Sequence, residues 1–301
     1  MKQGAKPKLS VVVVFFNMRR EAQRTLYSLS CNYQRQVEPD DYQVIVIDNN
    51  SSLPLSKEVV ESFGPNFEYH YFDTESASPA EAINYGASLA LGDLLACIVD
   101  GARMLSPGII KNSLIAGQAF SNPLITSLAW HLGPKEQNLS MLEGYDQAIE
   151  DQLLETVDWK SDGYQLFDIS TQASSSRCGF FGGLPEELSY FTVRKSRFLE
   201  MGGFCEEFRS PGGGLVNHDF LQRAVQINEL DIIMLLGEGS FHQFHGGIAT
   251  NAKPEEHPFA SFAKEYQEIR GNKFEMLVQP DPASFNYLGS MPKAALKFIQ
   301  T

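Results

Sequence analysis

Two short apolar runs in the first hundred residues each end abruptly on an aspartate. The run Tyr42 to Ile47 is followed by Asp48, and the run Leu94 to Val99 is followed by Asp100 and a glycine. Buried parallel strands have this pattern, because both of their faces are covered and only their ends meet solvent. Ligands of open α/β sheets bind just beyond the carboxyl ends of such strands. The two aspartates therefore predict a nucleotide site at one edge of a parallel sheet.

The segments around these runs alternate between strand and helix patterns. Further strands are predicted at residues 9–16 and 67–72, and helices near residues 20–33, 56–63 and 79–91. This order predicts an α/β fold in which a mostly parallel sheet is flanked by helices. Residues 9–100 contain neither G-x-G-x-x-G after the first strand nor G-x-x-x-x-G-K, which argues against a dinucleotide-binding Rossmann fold and a P-loop.

The rest of the chain is less regular and predicts a mixed architecture. We divide the chain into a nucleotide-binding half at 1–103, a catalytic and acceptor-binding half of the same domain at 104–250, and a helical extension at 251–301. The main predictions for the last two segments are strands at 126–130, 190–193 and 232–236, and helices at 142–157, 220–228 and 259–270. The acidic residues of the 142–157 helix, Glu143, Asp146, Glu150 and Asp151, are interpreted as a solvated face.

Charge and cysteine content limit the partners and the compartment. The formal net charge of −13 argues against nucleic-acid binding, which needs clustered Lys and Arg. The four cysteines form no C-x-x-C pair, which favours a reducing, cytoplasmic location over a zinc ribbon or redox motif. No segment reaches the roughly 20 apolar residues of a membrane span, so no transmembrane segment is expected. The tail at 294–299 leaves a peripheral membrane contact open.

Seven short motifs follow one another along residues 9–250. They are SVVVVFFN at 10–17, VIDNNSS at 46–52, AINYGA at 82–87, VDGAR at 99–103, MGGFCEEF at 201–208, GGGLVNHD at 212–219 and GEGSFHQFHGG at 237–247. In this order they resemble the family-2 inverting glycosyltransferases, which have the A-type nucleotide-sugar-binding fold. The resemblance implies transfer of a sugar from a nucleotide-sugar, a UDP-sugar before a dTDP- or GDP-sugar, to a hydroxyl of a glycan or lipid-linked acceptor, as in polysaccharide biosynthesis.

The resemblance also implies a role for each matching residue on the nucleotide side. Asp48 would accept the imide N–H of a uracil ring, and Phe16 and Asn17 would line the base and the ribose. Asn84 would help to hold the nucleotide. Asp100 occupies the first position of the family's D-x-D motif, which binds the diphosphate and a divalent metal. Mn²⁺ or Mg²⁺ is therefore the expected cofactor, since both prefer carboxylate oxygens.

The D-x-D motif is incomplete, because Ala102 stands at its second acidic position. A late histidine can complete such a site, and His242 and His245 are available. Residues three apart on an extended strand point to opposite faces, so only one histidine is expected to reach Asp100 unless the chain turns between them. His245 is favoured, since two glycines after it mark a loop. Alternatively, Arg103 neutralises the diphosphate and no metal is needed.

The family's E-D-x-D-L-x-x-R run is also only partly present. Aligning its last residue with Arg223 places Val216 and Asn217 at the E-D pair, and an amide cannot act as a base near neutral pH. Shifting the alignment by two residues makes His218 and Asp219 the pair. Asp219 is then the predicted catalytic base, with His218 as its rival.

Two other function classes stay open. A nucleotidyltransferase on a similar scaffold would usually carry a Gly-rich basic segment after the first strand, whereas residues 16–20 read FNMRR. A member of the fold that binds a nucleotide or a glycan without catalysis is the other alternative, and Ala102 and Asn217 are the residues that favour it.

Overall fold

The computed structural model describes residues 6–299, and ten strands within that range form one mixed sheet. Residues 1–5 and 300–301, at the outer ends of the predicted first and third segments, lie outside the described residues. The strands are β1 (Leu9–Phe15), β2 (Tyr42–Asn49), β3 (Phe67–Phe72), β4 (Leu94–Ile98), β5 (Arg103–Leu105), β6 (Pro123–Leu132), β7 (Ser170–Gln172), β8 (Phe191–Arg194), β9 (Asp231–His242) and β10 (Phe285–Gly289).

Helices cover the sheet on both faces. The α-helices are α1 (Arg19–Leu29), α2 (Lys57–Glu61), α3 (Ala80–Leu89), α4 (Ile109–Ala119), α5 (Gln137–Ser140), α6 (Gln147–Glu155), α7 (Lys195–Glu200), α8 (Val216–Ala224) and α9 (Phe259–Arg270). Short 3₁₀ turns at 141–143, 163–169, 174–176, 211–213, 254–256, 282–284 and 293–298 connect them.

The main path of the sheet runs in the order β10-β9-β6-β8-β4-β1-β2-β3, with β5 paired to β9 and β7 paired to β6. Strands β1 to β4 pair in parallel with one another, whereas β8 runs antiparallel to β4 and to β6. The predicted mostly parallel α/β fold is thereby confirmed. Because β1, β2 and β4 are parallel, their carboxyl ends meet at one edge of the sheet, the edge that the strand-end aspartates predict.

Strand β1 shows why this sheet lies in the centre of the protein. Its sequence LSVVVVF is wholly buried and rich in β-branched residues, which suit a pleated surface packed on both sides. Successive side chains point to opposite faces, so Val12 and Val14 pack with Ile83 of α3, whereas Val11 and Val13 pack with Leu26 of α1. The two apolar cores hold the strand ends in fixed positions.

Several elements in the second half differ from their predicted bounds. Strand β9 extends to His242 rather than ending near residue 236, because its pairing with β5 and β6 continues past the apolar run. Helix α8 begins at Val216 instead of residue 220, so Asp219 lies inside the helix. The predicted helix at 142–157 is interrupted at Gly144, whose φ of 91° is left-handed.

The C-terminal extension contains the predicted helix and one strand that was not predicted. Helix α9 spans the predicted residues, but β10 joins β9 in parallel at one end of the sheet. The extension is thus part of the sheet rather than only helical. Between residues 6 and 299, no helix combines the length and the apolar character that a membrane crossing would need.

Candidate functional site

A cleft opens at the edge of the sheet where β1, β2 and β4 end. One wall comes from these strand ends and from β5. The other wall comes from the loop before β8, the start of α8 and the loop after β9. Its lining residues with polar or charged side chains are Asn17, Asn49, Asp100, Arg103, Glu187, Ser189, Asn217, His245 and Thr250.

The chain approaches β1 closely where it delivers Asp100 to this cleft. A Cβ atom on the next residue, Gly101, would lie 2.5 Å from the carbonyl oxygen of Val14, so only glycine fits there. The Asp100 carboxylate also accepts the N–H of Ala102 at 2.9 Å, which fixes the turn. The glycine after the predicted strand end therefore allows the close packing that positions the aspartate.

Asp100 and two histidines converge at this cleft, which Asp100 and His245 line, whereas His242 is wholly buried next to them. The Nε2 atoms of His242 and His245 lie 2.8 Å and 3.5 Å from Asp100 Oδ2, and 3.2 Å from each other. Strand β9 ends at His242, and the chain turns before His245. The sequence predicts that only one histidine reaches Asp100 unless the chain turns between them, and this turn is present, so that both rings lie on the same side.

The hydrogen bonds of His242 leave an electron pair directed at Asp100. Gln137 donates from Nε2 to the His242 carbonyl at 2.9 Å, and its Oε1 lies 2.7 Å from His242 Nδ1. An amide oxygen only accepts, so Nδ1 carries the ring hydrogen and Nε2 of the neutral ring is an acceptor. Nε2 thus faces a carboxylate oxygen, and a cation between these acceptors satisfies both.

The cluster fits a divalent metal ion. The ligand atoms of Asp100, His242 and His245 all lie within 4.8 Å of one another. Metal–ligand bonds of roughly 2.1 Å place neighbouring ligands about 3.0–3.5 Å apart, close to the spacings in this cluster. Gln137 supplies the hydrogen bond to the second ring nitrogen that metal-binding histidines usually have.

The protonation states of Asp100 and His242 suit this role, whereas the raised pKa of His245 means that a metal ion has to displace a proton there. Burial lowers the pKa of His242 to about 4, although the neighbouring Asp100 carboxylate opposes the shift. Burial alone would raise the pKa of Asp100, but His245 and His242 outweigh it and hold that pKa well below its ordinary value. Burial likewise opposes the effect of Asp100 on His245, whose pKa is nevertheless raised. Asp100 is thus ionised and His242 neutral near pH 7, as metal ligands must be.

Arg103 adds a buried positive charge to the same wall. It lies on β5 opposite His242 in the strand register, lines the cleft and is only 7% exposed. None of the ion pairs found within residues 6–299 uses its guanidinium. A buried cation without a carboxylate partner favours an anionic ligand, and the guanidinium fork suits a phosphate group.

Phe16 and Asn17 line the cleft at the end of β1. Asn17 has a left-handed φ of 55°, and its Oδ1 accepts the N–H of Ser52 at 2.9 Å. Its own N–H donates to Ser51 Oγ at 2.8 Å. These bonds tie the end of β1 to the loop after β2. The Phe16 ring remains 48% exposed and is available for stacking against a base.

Asp48 does not reach the cleft. Its side chain is wholly buried, and its two oxygens accept the backbone N–H groups of Ser51 at 3.0 Å and Leu55 at 2.7 Å. The carboxylate is therefore used to close the loop after β2. The structure does not bring it to the surface on which the resemblance places a uracil ring.

The next residue, Asn49, does line the cleft, and sequence analysis missed it. It is 3% exposed, and its Oδ1 has no hydrogen-bond partner among the described residues. Its Nδ2 makes only long contacts, at 3.4 Å and 3.5 Å, with two backbone carbonyls. Consecutive residues of a strand point to opposite faces, so only one of Asp48 and Asn49 can face the cleft. The unpaired oxygen is suited to accept an N–H from a ligand.

Asn84 has a structural position on α3. Its Nδ2 donates to the Phe204 carbonyl at 2.9 Å and to Glu206 at 2.9 Å, and its Oδ1 accepts the Phe204 N–H at 2.9 Å. All of these bonds fasten the loop after α7. The residue does not line the cleft between the strand ends, where the resemblance places a nucleotide.

The two predicted base candidates also lie away from the cleft lining. Asp219 is 2% exposed and accepts hydrogen bonds from Arg223 at 2.9 Å and from Arg270 at 2.6 Å and 2.8 Å. It therefore joins α9 to α8 through two guanidinium groups. The ring of His218 packs edge-on against Phe274 at 5.4 Å. Neither side chain lines the cleft.

A buried brace fixes the peptide between the two histidines. Glu150, predicted to lie on a solvated face, is wholly buried and accepts the Phe244 N–H at 2.7 Å. Arg20 donates to the Phe244 carbonyl at 3.3 Å and to Glu150. Burial raises the pKa of Glu150 to about 7, although this N–H and Arg20 oppose the shift. The prediction of a solvated face is thus wrong for Glu150, because α6 packs this residue against α1.

Comparison with known families agrees with the motifs. Residues 10–100 match the model of glycosyl transferase family 2. This segment runs from the second residue of β1, through β2 and β3, to Asp100 just after β4. The resemblance predicted from the motifs is confirmed for this part of the chain. No curated protein matches the sequence.

Solved structures of S. aureus TarS have a similar fold. TarS itself matches with a TM-score of 0.55 at 14% identity, over 87% of this chain and 43% of TarS. TarS 1-349 in complex with UDP-GlcNAc gives 0.53 at 14% identity, over 86% of this chain and 66% of that one. The complex with UDP gives 0.52 at 14% identity, over 88% and 66%. The chain thus spans less than half the length of TarS, and the likeness confirms the predicted A-type fold.

Proposed function

We propose that this chain is an inverting glycosyltransferase that transfers a sugar from a UDP-sugar to a hydroxyl of a glycan or lipid-linked acceptor. The observation that carries the proposal is the meeting of Asp100, His245 and Arg103 in one cleft at the end of the family-2 segment, with His242 buried in contact with Asp100 and His245. A diphosphate leaving group needs positive charge at this place, and the cleft provides a cation site and a guanidinium.

The donor nucleotide would lie along the ends of β1 and β2. The exposed Phe16 ring offers a face for the base, and Asn49 Oδ1 is an unpaired acceptor for the imide N–H of uracil. Asn17 would line the ribose. Arg103 would bind the diphosphate. The UDP and UDP-GlcNAc complexes of TarS 1-349 support a uridine donor without identifying the sugar.

Asp100, His242 and His245 would hold the divalent cation. Two imidazole nitrogens and one carboxylate favour Mn²⁺ over Mg²⁺, which prefers oxygen ligands. When bound, the ion neutralises the negative charge that develops on the diphosphate as the sugar leaves. His242 takes the place of the acid that is missing at Ala102. Gln137 and the Glu150 brace keep the two histidines in position.

Calorimetric titration with UDP in Mn²⁺ and then in EDTA tests the donor site, with GDP and dTDP as controls. We expect UDP to bind at least tenfold more tightly in Mn²⁺ and more tightly than either control. Equal affinity in EDTA would refute the metal role and leave the diphosphate to Arg103. No binding of any nucleotide would refute the proposal.

One observation favours a second candidate, a nucleotide-binding protein without catalysis. The position that matches the family's catalytic acid is Asn217, and Asp219 is held in ion pairs. Tight UDP binding without release of UDP from any UDP-sugar would support this candidate. Release of pyrophosphate from UTP and a sugar phosphate would instead indicate a nucleotidyltransferase.

A further inference from the structure

The cleft contains a second carboxylate, in the loop before β8. Among the lining residues within 6–299, two carry carboxyl groups, Asp100 and Glu187. Asp100 already contacts His242 and His245. Glu187 is half-buried, and no ion pair between described residues uses it. It is therefore the carboxylate of this cleft that is free to take a proton.

The backbone that carries Glu187 is firmly held. Leu188 is wholly buried, so Glu187 and Ser189 face the cleft on either side of it. Asn217 binds both backbone groups of Leu188. Its Nδ2 donates to the Leu188 carbonyl at 2.8 Å, and its Oδ1 accepts the Leu188 N–H at 3.2 Å. Ser189 Oγ lies 2.8 Å from Ser240 Oγ of β9. The backbone that carries this carboxylate is thus fixed beside the cleft.

These two hydrogen bonds explain why an amide is present at position 217. An aspartate there would place a carboxylate oxygen beside the Leu188 carbonyl, and two acceptors would then face each other without a hydrogen. The amide satisfies both groups of the Leu188 peptide. The position that matches the family's acid is thus used to hold the segment in which Glu187 lies.

The loop before α8 lines the same cleft. Pro211, Gly212, Gly214 and Phe262 line it together with Glu187. The φ angles of 72° at Gly212 and 53° at Gly214 lie in the left-handed region, which favours glycine. The loop therefore has no side chains at these two positions. An acceptor chain can therefore approach the backbone closely beside a carboxylate.

We propose that Glu187 is the general base of this chain, an inference that rests on the proposed function. Its carboxylate takes the proton of the acceptor hydroxyl as the hydroxyl oxygen forms a bond to the anomeric carbon of the sugar. The bond between that carbon and the diphosphate oxygen breaks, and UDP leaves with the electron pair. One base on the acceptor side is what inversion requires.

A matched pair of variants tests this role. Glu187→Gln removes the basic oxygen with little change in shape, and Glu186→Gln makes the same change at the exposed neighbour outside the cleft. The assay is release of UDP from a panel of UDP-sugars that includes UDP-GlcNAc, with water or glycerol as acceptor, in Mn²⁺. We expect Glu187→Gln to lose about 10²- to 10⁴-fold in rate. UDP affinity should stay within twofold, and Glu186→Gln should match wild type.

The pH profile separates a base from a positioning group. The profiles are compared at saturating Mn²⁺. The histidine ligands are protonated at acid pH in both proteins, whereas only wild type has the Glu187 carboxylate, so we expect the acidic limbs of the two profiles to differ. A Glu187→Gln variant with wild-type rate and profile would overturn the assignment while leaving the donor site intact. A wild-type protein that binds UDP-sugars but releases no UDP would also overturn it. Failure of wild type to bind UDP would instead refute the proposed function itself.

Discussion

The ends of β2 and β4 look alike in sequence and behave differently in the structure. Each apolar run ends on an aspartate, but Asp48 turns into its own loop, whereas Asp100 opens into the cleft. The loop after β2 returns the N–H groups of Ser51 and Leu55 to both oxygens of Asp48. The chain after β4 instead packs against β1, and the two histidines at the end of β9 approach one oxygen of Asp100. A strand-end carboxylate is thus a ligand only where its own loop leaves an oxygen unused.

The largest effect that this comparison predicts is on metal binding at Asp100. Asp100→Asn removes the charged oxygen that both histidines face, so Mn²⁺ affinity should fall by at least about 100-fold, because an anionic ligand is lost. Asp100 is part-exposed and keeps one oxygen free of its own loop, so the free energy of unfolding should fall less than in Asp48→Asn. Calorimetric titration with Mn²⁺ and urea unfolding measure the two quantities. Wild-type Mn²⁺ affinity in Asp100→Asn would contradict the assignment of Asp100 as a metal ligand.

Asp48→Asn should lower the stability of the protein and leave Mn²⁺ binding unchanged. One carboxylate oxygen becomes an amide NH₂ group facing a backbone N–H, so we expect a loss of about 2–3 kcal/mol in the free energy of unfolding. Mn²⁺ affinity of the folded fraction should stay within twofold. Urea unfolding and Mn²⁺ titration on this variant mirror the pair of measurements on Asp100→Asn. Loss of nucleotide binding with unchanged stability would show that Asp48 faces a ligand after all.

Glu238, like Asp48, is a buried carboxyl group that is bonded within the protein, and the pH dependence of stability tests its role. This buried carboxyl on β9 accepts hydrogen bonds from its own chain, at 2.8 Å from Tyr164 and 3.1 Å from Gly108 N–H. Burial raises its pKa from 4.5 to about 7 despite these bonds. The folded state thus holds a proton more tightly than the unfolded state. Its contribution to stability is complete below about pH 4.5 and declines until the pH exceeds about 7.

The expected loss of this contribution between pH 5 and pH 8 is about 2–3 kcal/mol, from 1.36 kcal/mol for each pKa unit. Glu238→Gln cannot titrate and should lose correspondingly less over the same interval. Urea unfolding of both proteins at the two pH values gives the difference. Parallel pH dependence in wild type and variant would show that the carboxyl is not shifted by burial.

The smallest effect concerns the residue behind His242. Gln137→Ala removes the acceptor that holds the His242 ring hydrogen, and Mn²⁺ affinity should fall about tenfold. The matched control is Gln147→Ala, which removes a hydrogen bond to Glu21 on the outer side of the brace. We expect that change to leave Mn²⁺ affinity within twofold. Equal losses of Mn²⁺ affinity in both variants would mean that the effect is not specific to the hydrogen bond between Gln137 and His242.

The parallel core could be predicted because its signal is local. The uniformly apolar β1 and the alternation of strands and helices to Asp100 are properties of contiguous sequence, and β3 and α9 have their predicted bounds. The end of β9 could not be found in this way. Its last six residues, GEGSFH, form no apolar run, and they continue the strand because β5 and β6 supply hydrogen-bond partners from distant sequence.

The candidate site shows the same limit. The motifs directed attention to Asp100, Arg103 and His245, which the structure brings to one cleft. They also indicated Asp48, which is bonded within its own loop, and Asn84 and Asp219, which bind groups from distant parts of the chain. Nothing in a motif shows whether a polar side chain is already satisfied. Asn49 and Glu187 became visible only through their burial and their position in the cleft.

The most direct test of the central claim is a crystal of the full chain soaked in Mn²⁺ and UDP, with anomalous scattering measured at a wavelength where manganese contributes. We predict one strong peak within about 2.4 Å of Asp100 Oδ2 and of both histidine Nε2 atoms, with the diphosphate of UDP between it and Arg103. A peak elsewhere, or UDP bound in the cleft with no peak at Asp100, would contradict the account.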